Sequence, residues 1–91
     1  MDRKEVYYAI DTERVYQDNE TANPDRLDMV EDFNLGQSIL AMEHLLAEAR
    51  RIWYNDNPKD KFQDTMNMIR KVCGVCVKMG EKYGMPIRVI K

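Results

Sequence analysis

The sequence offers little for covalent chemistry: one histidine, His44, one serine, Ser38, and two cysteines. With no Gly-rich phosphate loop and no nucleophile–base constellation, triad-type and P-loop mechanisms have nothing to stand on. Two thiols and one imidazole fall short of the four ligands that zinc usually takes. Neither sign of charge dominates, at 14 basic against 16 acidic residues, so no strong field draws nucleic acid or an anionic membrane. No run approaches the ~20 apolar residues of a membrane span, and MDRKEVYYAI lacks the apolar core of a signal peptide. Repeats and low-complexity segments are missing too. The expectation is a cytoplasmic protein with no metal, cofactor, nucleic-acid or membrane partner.

What is present is helical periodicity. In Lys61–Tyr83, the residues Phe62, Met66, Ile69, Val72, Cys73, Cys76, Met79 and Tyr83 recur at spacings of three and four, the period of a helix with one buried face. Such a helix is roughly 33 Å long at 1.5 Å per residue and needs a partner of similar length. The partner is predicted from Asn34 or Leu35 to Tyr54, where Leu35, Ile39, Met42, Leu46, Ala49 and Trp53 form one stripe and Gln37, His44, Glu48 and Arg51 face away. Between them lies Asn55–Asp60, a short polar connection with Pro58, as in an antiparallel helical hairpin. Asp60 or Asp56 is the predicted cap of the later helix.

A first helix is predicted from an Asp2 cap, with Glu5 completing a capping box, to about Gln17. Val6, Ala9, Ile10, Glu13 and Gln17 share one of its faces, with Tyr7 and Arg14 on the shoulder. That face is polar for a core: it either drapes over the other helices, or Tyr7, Arg14 and Gln17 line a pocket. Asp18–Asp28 reads as a loop, with Leu27, Met29, Val30 and Phe33 adding a helical turn. After Tyr83 the chain leaves its helix at Gly84, in the manner of an αL cap. Residues 83–91 then form an extended arm that packs on a partner subunit, or else packs on its own domain or is disordered. A chain of 91 residues buries only about 60–65% of its unfolded surface, which favours oligomerisation. The predicted fold is therefore one all-α domain over 1–91: a long antiparallel helical hairpin with an additional N-terminal helix, completed by oligomerisation.

The remaining chemistry lies in carboxylates, arginines and thiols. Cys73-Gly74-Val75-Cys76 is a C-x-x-C that opens no helix, so its thiols read as buried core rather than redox groups. Glu43 and Arg50 lie on the shoulder of the second helix, as a rim salt bridge or as the polar groups of a cleft. Arg70 and Gly74 hold a shoulder of the third. Gly74 and Gly80 each cost about 1 kcal/mol against alanine inside a helix, and close approach of a neighbouring helix or subunit would repay them.

A resemblance adds to this reading. Glu13-Arg14-Val15-Tyr16-Gln17-Asp18, the helix with Met42-Glu43-His44-Leu45-Leu46-Ala47-Glu48-Ala49, and Ile69-Arg70-Lys71-Val72 leading to Glu81-Lys82-Tyr83-Gly84-Met85-Pro86-Ile87-Arg88 look like small phage-encoded proteins. Those are similar in layout to the all-α nucleotide pyrophosphohydrolases of the MazG-like superfamily. The resemblance implies an oligomeric helical domain that binds a nucleotide between helices, with magnesium on an E-E-x-x-E and E-x-x-D pattern. Here Glu43 stands for one carboxylate, His44 and Ala47 take other places on that helix, and Asp64 and Asn67 stand for the second pair. Magnesium is held by carboxylate oxygens and substrate phosphates, so the departure removes most of the metal affinity. Asp64 and Asn67 also fall on the polar face, away from Glu43.

The expected function is therefore non-catalytic nucleotide binding, with no catalytic residues. Tyr7, Arg14, Gln17, Glu43, Arg50 and Arg70 are the candidate ligand-binding residues, the arginines for phosphate. In a phage, such a protein could sequester a nucleotide signal of host defence. Two alternatives stand beside it: a protein interaction module without small-molecule ligand, docking through Met68, Met85 and Ile87, and a magnesium-dependent pyrophosphohydrolase.

Overall fold

A computed structural model describes residues 1–21, 34–55 and 60–90. The described residues form three helices and no strand: α1 (Arg3–Thr21), α2 (Leu35–Trp53) and α3 (Lys61–Tyr83). No helix among them is long and apolar enough to cross a membrane. The turn expected at Leu27–Phe33 and the Asp56 cap lie outside the described residues.

Each helix end has a local cause. Asp2 Oδ1 accepts the Glu5 backbone N–H at 2.8 Å, satisfying a donor that the first turn of α1 leaves open. α1 continues to Thr21, past the expected end at Gln17. Composition alone marks Asp18 as a loop residue, but its carboxylate takes Arg14 Nη2 at 2.8 Å one turn back, and such i,i+4 pairs hold a helix on. α2 opens on a full capping box: Asn34 Oδ1 accepts the Gln37 N–H at 2.8 Å and Gln37 Oε1 accepts the Asn34 N–H at 2.9 Å. Asp60 precedes α3 in a left-handed conformation, φ 59°, and its side chain makes no cap bond. α3 ends at Gly84, with φ 86° and ψ 147°. A left-handed φ suits glycine, but this ψ is extended, so the expected αL cap is replaced by a turn into an extended segment.

α3 is the central element. It packs against α1 and against α2, whereas α1 and α2 do not touch. Against α2, the rings of Trp53 and Phe62 meet edge to face with centroids 5.0 Å apart, and Lys61 Nζ lies 4.4 Å over the Trp53 ring. Farther along, Cys76 Sγ reaches Met42 Sδ at 3.5 Å.

The face of α2 that α3 covers is rotated from the expected stripe. Ser38 is the most buried residue, Ala49 is buried, and Ala41, Leu45 and Ile52 are half-buried. Leu35, Ile39 and Leu46 remain 45–50% exposed. Small side chains at Ser38, Ala41 and Ala49 let α3 come close, and the larger residues fall to the flank. The only buried hydrophobic residues among those described are Ala49 and Met79. Such a core is thin for a folded domain.

Candidate functional site

The polar face of α1 lies on α3 and makes a seam of charge-assisted hydrogen bonds. Arg14, nearly buried, donates from Nε to Glu81 Oε1 at 3.1 Å, from Nη1 to Gln17 Oε1 at 3.2 Å and from Nη2 to Asp18 Oδ1 at 2.8 Å. Glu13, equally buried, accepts Arg70 Nε at 3.0 Å, while Arg70 Nη1 donates to Asn67 Oδ1 at 2.7 Å. Gln17 Nε2 donates to the Lys71 carbonyl at 3.4 Å. Buried charges are tolerated when paired in this way, and no buried side-chain donor or acceptor lacks a partner among the described residues.

Gly74 makes the seam possible. A β-carbon there would stand 2.9 Å from Glu13 Cγ and 2.8 and 2.9 Å from the Gln17 amide atoms. The sequence placed Gly74 on a shoulder beside Arg70, and that shoulder is where α1 docks.

Of the predicted ligand-binding residues, Arg14, Gln17 and Arg70 converge on this seam. Tyr7 sits earlier on α1 and is 63% exposed. Glu43 and Arg50 are exposed on α2, which has no contact with α1. The set expected to share one pocket is therefore split over three helices: Arg14, Gln17 and Arg70 meet where α1 docks on α3, while Tyr7 stays exposed on α1 and Glu43 and Arg50 lie on α2. Both arginines of the seam already hold carboxylates. Sequence reasoning passed over Glu81 as a partner and read Glu13 only as part of a polar face. The spacing of Glu13 and Gln17 with Ala9 and Ile10 carried the signal that Glu13 is covered.

Beside the seam lies a cleft of about 350 Å³ lined by Thr12, Glu13, Tyr16, Arg70 and Lys71. The Lys71 side chain has no ion-pair or hydrogen-bond partner among the described residues. A second cleft, about 370 Å³, opens between the end of α2 and the start of α3, where Arg51, Asp64 and Asn67 are among the lining residues. Arg51 is also held by Glu48, with Nη2 to Oε2 at 2.9 Å, and this hydrogen bond and charge lower the Glu48 carboxyl below its ordinary value.

No three His, Cys, Asp or Glu side chains come together among the described residues to hold a metal. The surroundings of the magnesium stand-ins agree: Asp64 and Glu43 are both exposed, on separate helices, and Asn67 is turned to Arg70 on the α1 side. The thiols depart from expectation. Cys73 is half-buried and Cys76 exposed, although Cys76 Sγ reaches Met42 Sδ of α2 at 3.5 Å. Partial burial, followed by the neighbouring Cys73, pushes the Cys76 thiol up from its ordinary value and favours the neutral form.

No family model, curated protein or solved structure matches the chain. The likeness to MazG-like pyrophosphohydrolases therefore rests on the quoted residues alone.

Proposed function

We propose that the chain is a self-associating, non-catalytic helical interaction module whose occupant is a second copy of itself. The observation that carries this reading is an open apolar surface, with only Ala49 and Met79 as buried hydrophobic residues among those described. We take α2 and α3 as an antiparallel hairpin, a reading supported by Trp53 against Phe62 near their connection and Met42 against Cys76 farther along both helices. At 100° per residue, Leu35, Ile39 and Leu46 of α2 then flank the same side of the hairpin as Phe62, Met66, Ile69, Cys73 and Val77 of α3. Phe62 is 74% exposed, Met66 57% and Val77 39%. α1 lies away from this side, on the part of α3 that holds Arg70 and Gly74.

Area supports a second copy as the occupant. The chain exposes 7504 Å². A compact monomer of 10.8 kDa exposes about 5,500 Å², so the excess is roughly 2,000 Å², counted over all residues, those outside the described ranges and the exposed 84–90 segment included. A standard interface needs about 800 Å² per partner, well within that excess. The radius of gyration, 14.7 Å, likewise exceeds the ~12 Å of a compact domain of this length.

The test is a pair of charges on the open side, Ile39→Glu with Leu46→Glu. Both side chains are about half exposed in the single chain, so the helices should keep their circular dichroism while the oligomer separates into monomers. Oligomers of unchanged mass would defeat the reading.

The cleft beside Arg70 favours a second reading, that the module holds a nucleotide-type anion without turning it over. Lys71 and Arg70 supply positive charge, Tyr16 a ring for stacking and Thr12 a hydroxyl. A phosphate there must share Arg70 with Glu13, which limits affinity. A thermal-shift screen against nucleotides with and without Mg²⁺ tests it: a ligand at 100 times its Kd adds about 2.7 kcal/mol of stability. Intact ligand recovered from the protein would support holding, cleaved ligand would support the pyrophosphohydrolase, and no shift would sink both. Sequestration of a phage-relevant nucleotide signal is the extension of this second reading.

A further inference from the structure

The segment after α3 is apolar and has no cover in the single chain. Met85 is 66% exposed, Ile87 94%, Val89 78% and Ile90 92%. Helical and strand pairing are both missing from 84–90, so its backbone groups have no regular partners within the segment. Gly84, with φ 86°, turns the chain out of the helix, and Pro86 holds the residue before it extended. The turn sets the segment off from the open side of the hairpin: Met85 lies over Gly80, where an added β-carbon would stand 3.2 Å from Met85 Cε. At 100° per residue Gly80 shares the face of α3 that carries Phe62, Ile69 and Cys73. The apolar surface thus runs without interruption from α2 and α3 onto the start of the arm, and beyond Met85 the arm departs from its own hairpin.

We infer that Pro86–Ile90 of one copy lies along the open α2/α3 side of a second copy. The inference rests on the self-association proposed above and names the segment that makes the contact. Lengths fit: five extended residues span about 17 Å at 3.3 Å each, within the open side of α3 from Phe62 to Val77, about 22 Å long at 1.5 Å per residue. In an extended segment alternate side chains share a side, so Ile87 and Val89 face the hairpin together. If the pair is twofold, each copy gives its arm and receives one, which is self-complementary and closes the assembly. The exchange covers the two apolar surfaces that a single chain leaves in water.

Two measurements on the full chain decide it. The first is an isotope-filtered NOESY of an equal mixture of carbon-13-labelled and unlabelled protein. Contacts between Ile87 or Val89 methyls of one copy and Leu46, Phe62 or Met66 of the other are expected, and arm contacts confined to one copy would overturn the inference. The second is Ile87→Asp with Val89→Asp, expected to raise the dissociation constant at least tenfold in sedimentation equilibrium with helix content unchanged. If this variant associates as the wild type does while Ile39→Glu with Leu46→Glu separates into monomers, the arm inference fails and self-association stands. If the wild type itself is monomeric at every concentration, both fail.

Discussion

Gly74 sits where Glu13 and Gln17 press onto α3, and the residue scale is best probed there. Leucine at this position must displace the Glu13 stem and the Gln17 amide. Overpacking of this kind costs about 1–3 kcal/mol, against the ~1 kcal/mol that leaving glycine returns to the helix. Gly74→Leu should therefore lower the urea midpoint, and Gly74→Ala, whose β-carbon alone meets the buried Glu13 stem and the Gln17 amide at 2.8–2.9 Å, should lower it by less. Glu13→Gln tests the buried half of the seam. It removes the charge opposite Arg70 while keeping the shape, and a hydrogen bond to a charged group is worth about 1.5–3 kcal/mol; Arg70 is partly exposed, so the lower end is expected in urea unfolding. At Cys76 the raised thiol value means that the folded chain prefers the protonated form. Its contribution is fully present below the thiol value of the unfolded chain, near 8.5, and is lost as pH rises through the higher folded value. Alkylation of Cys76 at pH 8 should accordingly be slower in the folded chain than in urea.

Among the elements, α1 is the least secured. Among the described helices it packs only on α3, with the polar seam and Gly74 at the contact and Ala9 and Ile10 half-buried. Native-state hydrogen exchange should show α1 amides opening at lower free energy than those of α3, because segments with few buried apolar contacts open first. Protection of α1 equal to that of α3 would mean that the seam is stronger than its exposed half suggests. The elements themselves were legible in sequence. The α2 stripe and the α3 period placed two helices nearly to the residue, since period is a local property; the Asn34–Gln37 capping box that opens α2 was passed over. What was not legible is which side of each stripe is covered. Leu35, Ile39 and Leu46 dominate the α2 pattern by size, but the buried residues of α2 are Ser38 and Ala49, small side chains that carry little hydrophobic signal. The candidate site divides in the same way. Arg14, Gln17 and Arg70 share a seam, while Glu43, Arg50 and Tyr7 occupy shoulders with no helix opposite. A wheel ranks positions around one axis and says nothing of which shoulders meet. The extra turn of α1 beyond Gln17 came from the Arg14–Asp18 pair, a side-chain contact that composition does not reveal.

At the scale of the whole molecule, the account turns on surface. A chain whose buried apolar residues are Ala49 and Met79 among those described, with Phe62, Met66, Leu46 and Ile87 in water, has hydrophobic area to hide. Burial of apolar surface yields roughly 25 cal/mol per Å², so leaving such a side uncovered forfeits the main source of stability for a domain of this size. The proposed self-association would recover it, and melting should then depend on protein concentration, rising as the chain is concentrated. The measurement that tests this most directly is sedimentation equilibrium of the wild-type protein across a hundredfold range of concentration. The account predicts a mass that is a whole multiple of the 10.8 kDa chain at the upper end of the range. A mass of one chain throughout would contradict it.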